Sequence, residues 1–405
     1  MQFIIHRGAK EIGGSCVEVF TDNTCLIIDC GIPLDDKKPH PFDPKSLLDR
    51  KIDAVLLSHP HLDHYGLLNT LNPNIPIYMS QGAKKIIEAS EIFGMHKVGK
   101  LNAKTLIVDK TNKIGDFTIT NYLVDHSGFD ARAFLIEANG KRLFYSGDFR
   151  GHGRKSSVFK KMLANPPKNI DCLLMEGSTL ERSKAEYQTE DDVEKAIENI
   201  LKTSTTVTFL AVSAQNIDRL VSAYRACLRN RSRFIIDLYT AFVLHKLKWS
   251  FAKIPQFDWN NIKVFYWGRQ GNKLVQNGYK PLLYKYKISK IKAEETKTKD
   301  LFIIRNSKDL KRIMDNGVQV EGSTFIYSMW EGYLNDELKS FCKDNKIKLK
   351  QIHVSGHATI DHLKEFAKAL KPKKLVPFHT FSPEKYKKLF GDKVKIANDG
   401  EMVEV

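Results

Sequence analysis

The N-terminal part of the chain alternates short apolar runs with turn-forming residues. Because strands are short and are bounded by Gly, Pro, Asn or Asp, this pattern predicts a region rich in β-sheet. Asn139-Gly140 separates two of the runs and predicts a tight hairpin. Positions 82–93 show the spacing of a helix instead. The predicted strands of this region cover 3–5, 16–20, 25–29, 53–57, 75–79, 119–124, 133–136, 142–145 and 172–175.

From about residue 185 onward, helical and strand patterns alternate regularly. Thr189 opens a capping-box sequence, and apolar residues then recur at helical spacing as far as Leu201. A second helical pattern lies between 217 and 228. This alternation is typical of a doubly wound unit with a largely parallel sheet. Its predicted strands cover 207–210, 234–236, 302–304 and 324–327.

The C-terminal segment returns to the character of the N-terminal part. A helix is predicted around Leu363, Phe366 and Leu370, where apolar residues line one face. The whole chain is therefore predicted to have an α/β fold with more than one domain. Strands are predicted at 351–354, 374–378, 393–396 and 402–403.

The composition adds a strong positive charge to this picture. The 405 residues include 64 Lys plus Arg and 47 Asp plus Glu, which gives a formal net charge of +17. Such a charge creates a field that attracts polyanions, including nucleic acids. Lysine-rich faces that are merely solvated are the alternative explanation.

Cysteine usage and the N-terminus favour a cytoplasmic protein. The six cysteines include no Cys-x-x-Cys pair, which argues against a disulfide framework and for a reducing compartment. The N-terminus lacks the apolar core of a signal peptide. No apolar run approaches the roughly 18 residues of a membrane span, so we expect no membrane association.

Three imidazoles and a carboxylate are concentrated in segment 58–64, directly after a predicted strand. Alternate side chains at a strand end, His59 and His61, can point to one place. The turn that follows can present Asp63 and His64 to a neighbouring place. This spacing suits two metal ions bridged by a water, and a solvated His-rich loop is the alternative.

Further polar residues stand at the ends of later predicted strands, where active-site residues are common. A di-metal hydrolase needs ligands for two ions, a bridging carboxylate and a proton donor for the leaving group. Imidazole and carboxylate donors without thiolate suit zinc, with manganese as the alternative. His59, His61 and His126 could hold one ion, Asp63, His64 and His379 could hold the second, and Asp148 could bridge them.

These residues and their order resemble the metallo-β-lactamase fold. Asp29 matches an aspartate of that fold that supports the metal loop rather than binding metal. More narrowly, the chain is similar to the β-CASP nucleases, which include ribonuclease J and the endonuclease of pre-mRNA 3′-end cleavage. The conserved-motif positions A, B and C of that group match Glu176, His357 and His379.

The resemblance implies an αββα sandwich interrupted by an inserted, doubly wound β-CASP domain. The metallo-β-lactamase domain would comprise residues 1–185 and 349–405, and the β-CASP domain would comprise 186–348. The active site would lie in the cleft beneath the inserted domain, where a metal-bound hydroxide attacks a phosphodiester.

The resemblance also assigns roles to residues. His357, oriented by Glu176, would protonate or stabilise the leaving oxygen. The catalytic candidates are therefore Asp63, Glu176 and His357, and the candidate substrate-binding residues are His353, Ser355 and Gly356 of the motif B segment. Members with histidine at motif C tend to act on RNA and DNA-repair members tend to carry valine, so His379 favours RNA over DNA.

Two positions depart from the family pattern. The family's Val-His-Gly-Glu is Phe378-His379-Thr380-Phe381 in this chain. Ribonuclease J carries a Ser-Asn-Ile-His-like segment that helps to hold a 5′ phosphate, and the matching segment is Gln215 to Asp218. Because an aspartate repels a phosphate, Asp218 argues against activity that depends on a 5′-monophosphate.

Two basic clusters lie in the predicted insertion, and the second is interleaved with Tyr284 and Tyr286. Cations with aromatic rings suit a single-stranded nucleic acid. An exposed, charged edge strand that prevents aggregation is an equally good explanation. The clusters comprise Arg225, Arg229, Arg231 and Arg233, and Lys285, Lys287, Lys290, Lys292, Lys297 and Lys299.

The sequence thus predicts a metal-dependent nuclease with two divalent ions that acts on single-stranded RNA, more readily as an endonuclease than as a 5′-3′ exonuclease. One alternative is a hydrolase of a small ester or cyclic nucleotide on the same fold. Another is an inactive RNA-binding subunit. RNA is the expected partner, and the sequence allows a homodimer.

Overall fold

The computed structural model describes residues 1–34, 40–48, 50–182, 186–250 and 253–405. Contacts divide the chain into two compact units. Unit 1 comprises Met1–Ile87, His96–Lys184 and Gly356–Val405, and unit 2 comprises Glu88–Met95 and Ala185–Ser355.

The strands are β1 Gln2–Arg7, β2 Cys16–Phe20, β3 Cys25–Ile28, β4 Ala54–Leu56, β5 Pro76–Ser80, β6 Asn102–Leu106, β7 Thr111–Ile114, β8 Phe117–Leu123, β9 Arg132–Ala138, β10 Lys141–Tyr145, β11 Cys172–Glu176, β12 Thr208–Ala211, β13 Phe234–Asp237, β14 Ile262–Phe265, β15 Lys290–Ile291, β16 Leu301–Ile303, β17 Thr324–Tyr327, β18 Lys348–Gln351, β19 Lys374–Phe378 and β20 Met402–Glu404.

The α-helices are α1 Leu62–Tyr65, α2 Gln81–Ile92, α3 Ser156–Ala164, α4 Glu190–Thr203, α5 Ile217–Arg229, α6 Leu238–Lys246, α7 Gly268–Gln276, α8 Lys280–Tyr286, α9 Ser307–Asp315, α10 Asp336–Asp344, α11 Ile360–Leu370 and α12 Lys385–Phe390.

Unit 1 is a sandwich of two sheets. One sheet has the order β20-β1-β2-β3-β4-β5-β6 and the other has the order β19-β11-β10-β9-β8-β7. Apolar side chains from both, such as Val17 and Leu26 in one and Phe134 and Tyr145 in the other, form a shared buried core. This packing explains why these strands are apolar on their inner faces.

Helices cover the outer faces of the sandwich. The outer face of the first sheet packs through Val55 and Met79 against Ala83 of α2. The outer face of the second sheet packs through Phe144 against Phe159 of α3 and Phe366 of α11. The predicted αββα sandwich is therefore confirmed.

Unit 2 contains a seven-stranded sheet in the order β15-β14-β13-β16-β12-β17-β18. Every pairing between its described neighbours is parallel. Strands alternate with helices along the chain, so the predicted doubly wound sheet is confirmed. Buried residues such as Phe209, Phe302 and Leu310 form the core on one face.

Several local predictions are confirmed by the backbone. The Asn139-Gly140 hairpin joins β9 and β10, and both residues have positive φ, as a tight hairpin turn requires. The capping box of α4 is formed, since the Thr189 hydroxyl accepts from the backbone N of Asp192. The predicted helix at 82–93 is α2.

Two predicted strands are wrong. The strand predicted at 351–354 is displaced, because the ladder between β17 and β18 ends with Tyr327 opposite Gln351. Just beyond it, the Ile352 N–H still donates to the Tyr327 carbonyl, but the Ile352 carbonyl accepts from the Ser328 hydroxyl. The strand predicted at 393–396 is only an isolated bridge between Val394 and Leu375.

The limits of the units differ from the predicted domain limits in two main places, the first being that unit 2 also includes Glu88–Met95, which the prediction assigned to the first domain. Unit 2 extends to Ser355, whereas the predicted insertion ends at 348. Because β18 begins at Lys348 and pairs with β17, its residues are held in the sheet of unit 2. We propose the corresponding division of the chain into an interrupted domain and an inserted one.

Candidate metal centre

Three imidazoles converge at the end of β4 and β8 in unit 1. Nδ1 of His61 lies 3.1 Å from Nε2 of His59 and 3.2 Å from Nε2 of His126. His59 and His126 are fully buried. The ligand nitrogens of the three imidazoles all lie within 4.8 Å of one another and can face a single cation. The predicted first group of ligands is brought together.

The second predicted group lies beside the first. Oδ2 of Asp63 lies 3.7 Å from Nε2 of His64 and 3.7 Å from Nε2 of His379. These three atoms form another set that could hold an ion. Asp63 and His64 belong to α1, which follows β4 directly, and His379 follows β19.

Asp148 stands between the two groups. Its Oδ2 lies 3.7 Å from Nε2 of His59, 3.2 Å from Nε2 of His64 and 3.7 Å from Nε2 of His379. One carboxylate oxygen therefore reaches donors of both groups. This is the position that a bridging ligand requires.

Several inward-facing atoms have no hydrogen-bond partner in the described part of the chain. They are Nε2 of His64, Nε2 of His379 and both carboxylate oxygens of Asp148. Buried polar groups are normally hydrogen-bonded, because leaving one unpaired costs about 1–3 kcal/mol. Two imidazoles and a carboxylate with unused acceptor atoms fit divalent cations at this place.

The outer nitrogens of these imidazoles are held by other groups. Nδ1 of His64 lies 2.8 Å from Oδ2 of Asp29, and Nδ1 of His126 lies 2.6 Å from the carbonyl oxygen of Gly356. Nδ1 of His379 lies 2.8 Å from Oγ of Ser15. When Nδ1–H donates to each of these oxygens, the Nε2 lone pair is left for a metal.

Asp29 organises this support, which is the role that the resemblance to the metallo-β-lactamase fold implies for it. Its carboxylate accepts hydrogen bonds of 2.7 Å from both the backbone N and the hydroxyl of Ser58, and one of 2.8 Å from the Tyr145 hydroxyl. The Ser58 hydroxyl can in turn accept from Nδ1 of His59, 3.0 Å away. Asp29 thus fixes imidazoles of both groups, directly or through Ser58.

The supporting residues Ser15, Ser58 and Tyr145 were not found by sequence reasoning. Ser58 could have been found because it precedes the histidine motif. No sequence motif marks Ser15 or Tyr145, since they approach the site only through the packing of β2 and β10. Position 356 also requires glycine, because a Cβ atom there would lie 2.3 Å from Oγ of Ser127.

Burial and neighbouring charges set the protonation of the ligands. Burial, assisted by neighbouring imidazoles, holds the pKa of His59 and His126 well below the ordinary range, and burial lowers the pKa of His61 to about 4. Neutral imidazoles are what metal binding requires. Burial also opposes protonation of His64, but Asp148 and Asp63 raise its pKa well above the ordinary value.

Glu176 and His357 lie next to Asp148. Nδ1 of His357 lies 3.5 Å from Oε1 of Glu176 and 3.6 Å from Oδ2 of Asp148. Backbone N–H groups of Ser178 and Ala358 donate to the Glu176 carboxylate at 2.9 and 3.0 Å. Burial disfavours the charged imidazole, but Glu176 and Asp148 outweigh it, so the pKa of His357 is raised.

The candidate substrate-binding residues are divided between the units. Gly356 belongs to unit 1 and holds His126 through its carbonyl oxygen. His353 and Ser355 belong to unit 2, where Nδ1 of His353 lies 3.4 Å from Nη1 of Arg219. Asp218 is buried in the first turn of α5, where the helix dipole favours a negative charge.

The two basic clusters of unit 2 differ in how much of their charge is paired with carboxylates. Arg229 and Arg233 form ion pairs with Glu194 and Asp300, so much of the first cluster is neutralised. The lysine cluster extends over α8 and the short edge strand β15, and its lysines are exposed. Of its two tyrosines, Tyr284 is exposed and Tyr286 is buried.

The fold and the paired ligand groups define the class of protein: a metallo-β-lactamase fold with a candidate centre for two divalent cations. Residues 24–211 match the model of the Beta-lactamase superfamily domain. Residues 345–387 match that of the Zn-dependent metallo-hydrolase RNA specificity domain. Over these residues the chain resembles the β-CASP nucleases of the metallo-β-lactamase superfamily.

Several relatives match over most of the chain, and two of them serve as examples. The Ribonuclease J of Helicobacter pylori strain 26695 is 24% identical over 92% of this chain and 55% of its own length. The RNase J-like protein of Methanocaldococcus jannaschii is 25% identical over 92% of this chain and 91% of its own length. The chain thus spans about half the length of several curated relatives that it matches.

A solved structure supports the fold. The crystal structure of a protein of unknown function from Enterococcus faecalis V583 matches with a TM-score of 0.79 and 19% identity, over 99% of both chains. This likeness extends through both units and shows the fold alone. Among the described helices, none combines the length and apolar character that crossing a membrane requires.

Proposed function

We propose that this protein is a metal-dependent nuclease that hydrolyses phosphodiester bonds of single-stranded RNA. The observation that carries the proposal is the position of the Asp148 carboxylate, whose Oδ2 lies within 3.7 Å of donors from both histidine groups and 3.6 Å from His357. Ligands and a candidate proton donor therefore meet at one point.

The donor set fits two divalent cations, and zinc is the proposed metal with manganese as the alternative. His59, His61 and His126 would hold one, Asp63, His64 and His379 would hold the other, and Asp148 would contact both. When bound, such ions supply Lewis acidity and lower the pKa of a bound water. A cation at this centre would also satisfy the unpaired atoms of His64, His379 and Asp148.

His357 is the proposed proton donor. In hydrolysis a water oxygen bonds to phosphorus, the bond from phosphorus to the leaving ribose oxygen breaks, and that oxygen must take up a proton. The raised pKa of His357 keeps its imidazole protonated to higher pH than usual. Glu176 is a positioning residue, because it contacts His357 and its carboxylate is held by three backbone N–H groups.

RNA is the proposed substrate for three reasons. The chain carries a net charge of +17, which favours a polyanion. Residues 345–387 match a model described as an RNA specificity domain. Relatives that match over 92% of the chain are named Ribonuclease J and RNase J-like protein. A small neutral ester would make no use of the positive charge, and a cyclic nucleotide, with its single negative charge, would use far less of it than a polyanion does.

We propose endonucleolytic cleavage, with 5′-3′ exonuclease activity as the second candidate. Asp218 favours the first, since a carboxylate would oppose a terminal phosphate. The names of the relatives favour the second. Circular RNA distinguishes the two, because only an endonuclease can cleave it.

The test is incubation of the protein with 5′- and 3′-labelled RNA, circular RNA and DNA of the same sequence, with Zn²⁺, with Mn²⁺ or with a chelator. We expect metal-dependent cleavage of linear and circular RNA and little preference for a 5′-monophosphate. Intact circular RNA with processive loss of 5′-monophosphate RNA would establish the exonuclease. Binding without hydrolysis under any metal condition would establish the inactive subunit.

A further inference from the structure

A continuous helical segment of unit 2 carries a run of lysines. Residues 280–289 form α8 and one turn of 3₁₀ helix that follows it without a break. The edge strand β15 comes next along the chain. From 280 to 292 the chain has five lysines and no aspartate or glutamate, so no carboxylate within the run balances its charge.

The two faces of this helical segment differ in burial. Leu282 and Leu283 are half-buried, and Tyr286 is fully buried with its ring centroid 4.8 Å from that of Phe257. The other face is exposed, and its residues follow one another at intervals of three or four, which makes them neighbours on a helix surface. Together with the exposed lysine of β15 they form what we call the basic face: Lys280, Tyr284, Lys285, Lys287, Ile288 and Lys290.

The ring of Tyr266 joins the helical part of the basic face to β15. Its hydroxyl donates to the carbonyl oxygen of Leu283 in α8 at 2.7 Å. Nζ of Lys290 lies 5.0 Å from the centroid of the same ring. Lys290 is also paired with Val264 in the ladder between β14 and β15. The helix and the strand therefore border one surface, and the contacts of Tyr266 hold them together.

The charge of the basic face is not balanced by carboxylates. None of its four lysines forms an ion pair with a residue that the structure describes, whereas Lys292 pairs with Glu294. Two of the four lie near aromatic rings instead, since Nζ of Lys285 is 6.0 Å from the ring centroid of Phe257 and Lys290 lies over Tyr266. Exposed ammonium groups without a counterion in the protein can each take a phosphate.

Protection of the sheet edge does not explain the basic face. Lysines on an edge strand prevent pairing with another chain, but only Lys290 of the four belongs to β15. Tyr284 is 66% exposed and Ile288 is 79% exposed, and exposed apolar groups favour association. The lysines of the helix and these two side chains need another explanation.

The arrangement suits a single strand of RNA. Lys280 and Lys287 are seven residues apart, about 10 Å along the helix axis, and Tyr284 lies between them. Lysines along a backbone path and an aromatic ring for a base are the features of surfaces that bind single strands without sequence preference. A membrane surface fits less well, because an interfacial helix inserts its apolar face, and in α8 that face includes Tyr286, which is packed inside unit 2.

We propose that the basic face is a second contact surface for single-stranded RNA, in which its four lysines bind phosphates and Tyr284 stacks on a base. The surface belongs to unit 2, whereas every candidate metal ligand belongs to unit 1. The inference rests on the proposed function, because it takes RNA as the substrate. It gives the surface a role in affinity for the strand and none in the chemical step.

The test measures the salt dependence of binding, so that it does not depend on cleavage. A fluorescent single-stranded RNA is titrated by anisotropy with chelator-treated protein at several salt concentrations. Each lost phosphate contact flattens the slope of log affinity against log salt by about 0.7 on a single strand. Loss of two to four contacts should therefore flatten it by about 1.4–2.8 in the basic-face variant, which combines Lys280→Gln, Lys285→Gln, Lys287→Gln and Lys290→Gln.

A matched control removes the same charge elsewhere in unit 2. The lysines of α9 and α10 are interspersed with carboxylates, as where Lys339 pairs with Asp336. The slope of this control should stay within about 0.7 of the wild-type slope. Substitutions of exposed residues seldom change stability, so both variants should keep the wild-type melting temperature. The control combines Lys308→Gln, Lys311→Gln, Lys339→Gln and Lys343→Gln.

Tyr284→Ala separates stacking from charge. Loss of one stacked base should lower affinity by about 5- to 150-fold. Because stacking releases no counterion, the salt slope should stay at the wild-type value. Tyr284→Phe should keep the wild-type affinity, since a phenyl ring also stacks. Tyr333→Ala should keep it as well, because it removes a tyrosine of the same unit, 60% exposed, that lies outside the basic face.

The outcomes separate the basic face from the proposed function. A slope of the basic-face variant equal to that of the control would overturn the RNA surface, even if the protein cleaves RNA. A flattened slope together with absence of cleavage under every metal condition would support the surface and overturn the nuclease instead. Wild-type affinity in Tyr284→Ala would overturn the stacking contact. An unchanged RNA slope, with vesicles of anionic lipid binding the wild type but not the basic-face variant, would assign the surface to a membrane.

Discussion

Each unit of the protein contains a buried polar cluster, and the two differ in completeness. In unit 2, Arg219 is fully buried and its guanidinium makes two hydrogen bonds of 3.0 Å with the Glu190 carboxylate. It also donates to the carbonyl oxygens of Ser328 and Val354 at 3.0 and 3.2 Å. In unit 1, His64, His379 and Asp148 keep inward-facing atoms that make no hydrogen bond among the described residues.

This difference in hydrogen bonding indicates a different role for each cluster. A buried arginine with its charge balanced and its donors used holds elements together, in this case α4, α5, the end of β17 and the segment after β18. A cluster of acceptors with unused lone pairs is incomplete as a structural element and suits a cation. We therefore expect substitutions in the cluster of unit 1 to affect metal binding and catalysis. Substitutions in the cluster of unit 2 should affect stability.

Asp148→Asn should have the largest effect. Replacing the carboxylate that lies between the two groups should reduce RNA hydrolysis by about a thousandfold or more. Metal analysis of the dialysed protein should show fewer ions than in the wild type, and added zinc should raise its melting temperature less, since ligands stabilise by mass action. Asp171→Asn, which changes a largely buried carboxylate of the same unit that pairs with Lys373, is the control. Wild-type activity in Asp148→Asn would contradict the proposed two-ion centre.

His357→Ala should lower kcat by about 10²–10⁴-fold, the usual contribution of a general acid. The pH profile is the more specific test. Because Glu176 raises the pKa of His357, Glu176→Gln should lower it, so the alkaline limb of kcat/KM should move to lower pH. An unmoved alkaline limb in Glu176→Gln would argue that another group donates the proton.

Arg219→Met should destabilise the protein without changing its metal content. Removing one partner of a buried ion pair leaves the other charge uncompensated and costs about 3–5 kcal/mol. Urea unfolding should show this loss, and adding Glu190→Gln should recover part of it. Lys346→Met, which breaks an exposed pair with Glu321, should change stability by less than about 0.5 kcal/mol. A loss of bound metal in folded Arg219→Met would contradict the conclusion that only the cluster of unit 1 serves the metal.

Ser15→Ala should have the smallest effect of the four. Its hydroxyl holds only the outer nitrogen of His379, and groups that orient a ligand in this way contribute about 10- to 100-fold in metal affinity or activity. Titration with buffered zinc should show a weakened site and an unchanged fold. Ser46→Ala, whose hydroxyl binds the Asp43 carbonyl near the surface, should bind zinc as the wild type does.

Some features of the protein follow from the sequence alone. The spacing of His59, His61, Asp63 and His64 is short enough for local backbone geometry to direct each side chain, so both ligand groups could be anticipated. The apolar runs of the sandwich and the Asn139-Gly140 hairpin are likewise local, because burial and turn chemistry act over a few residues.

Other features were decided by tertiary structure. Ser15 reaches the candidate ligand His379 and Tyr145 reaches the supporting Asp29 only because β2 and β10 pack in the same sandwich. The strand expected at 351–354 ends at Gln351 because β17 ends there, and a ladder needs a partner that the apolar pattern does not reveal. Tyr284 and Tyr286 are two residues apart, yet only the packing of Tyr286 against Phe257 decides which ring is buried.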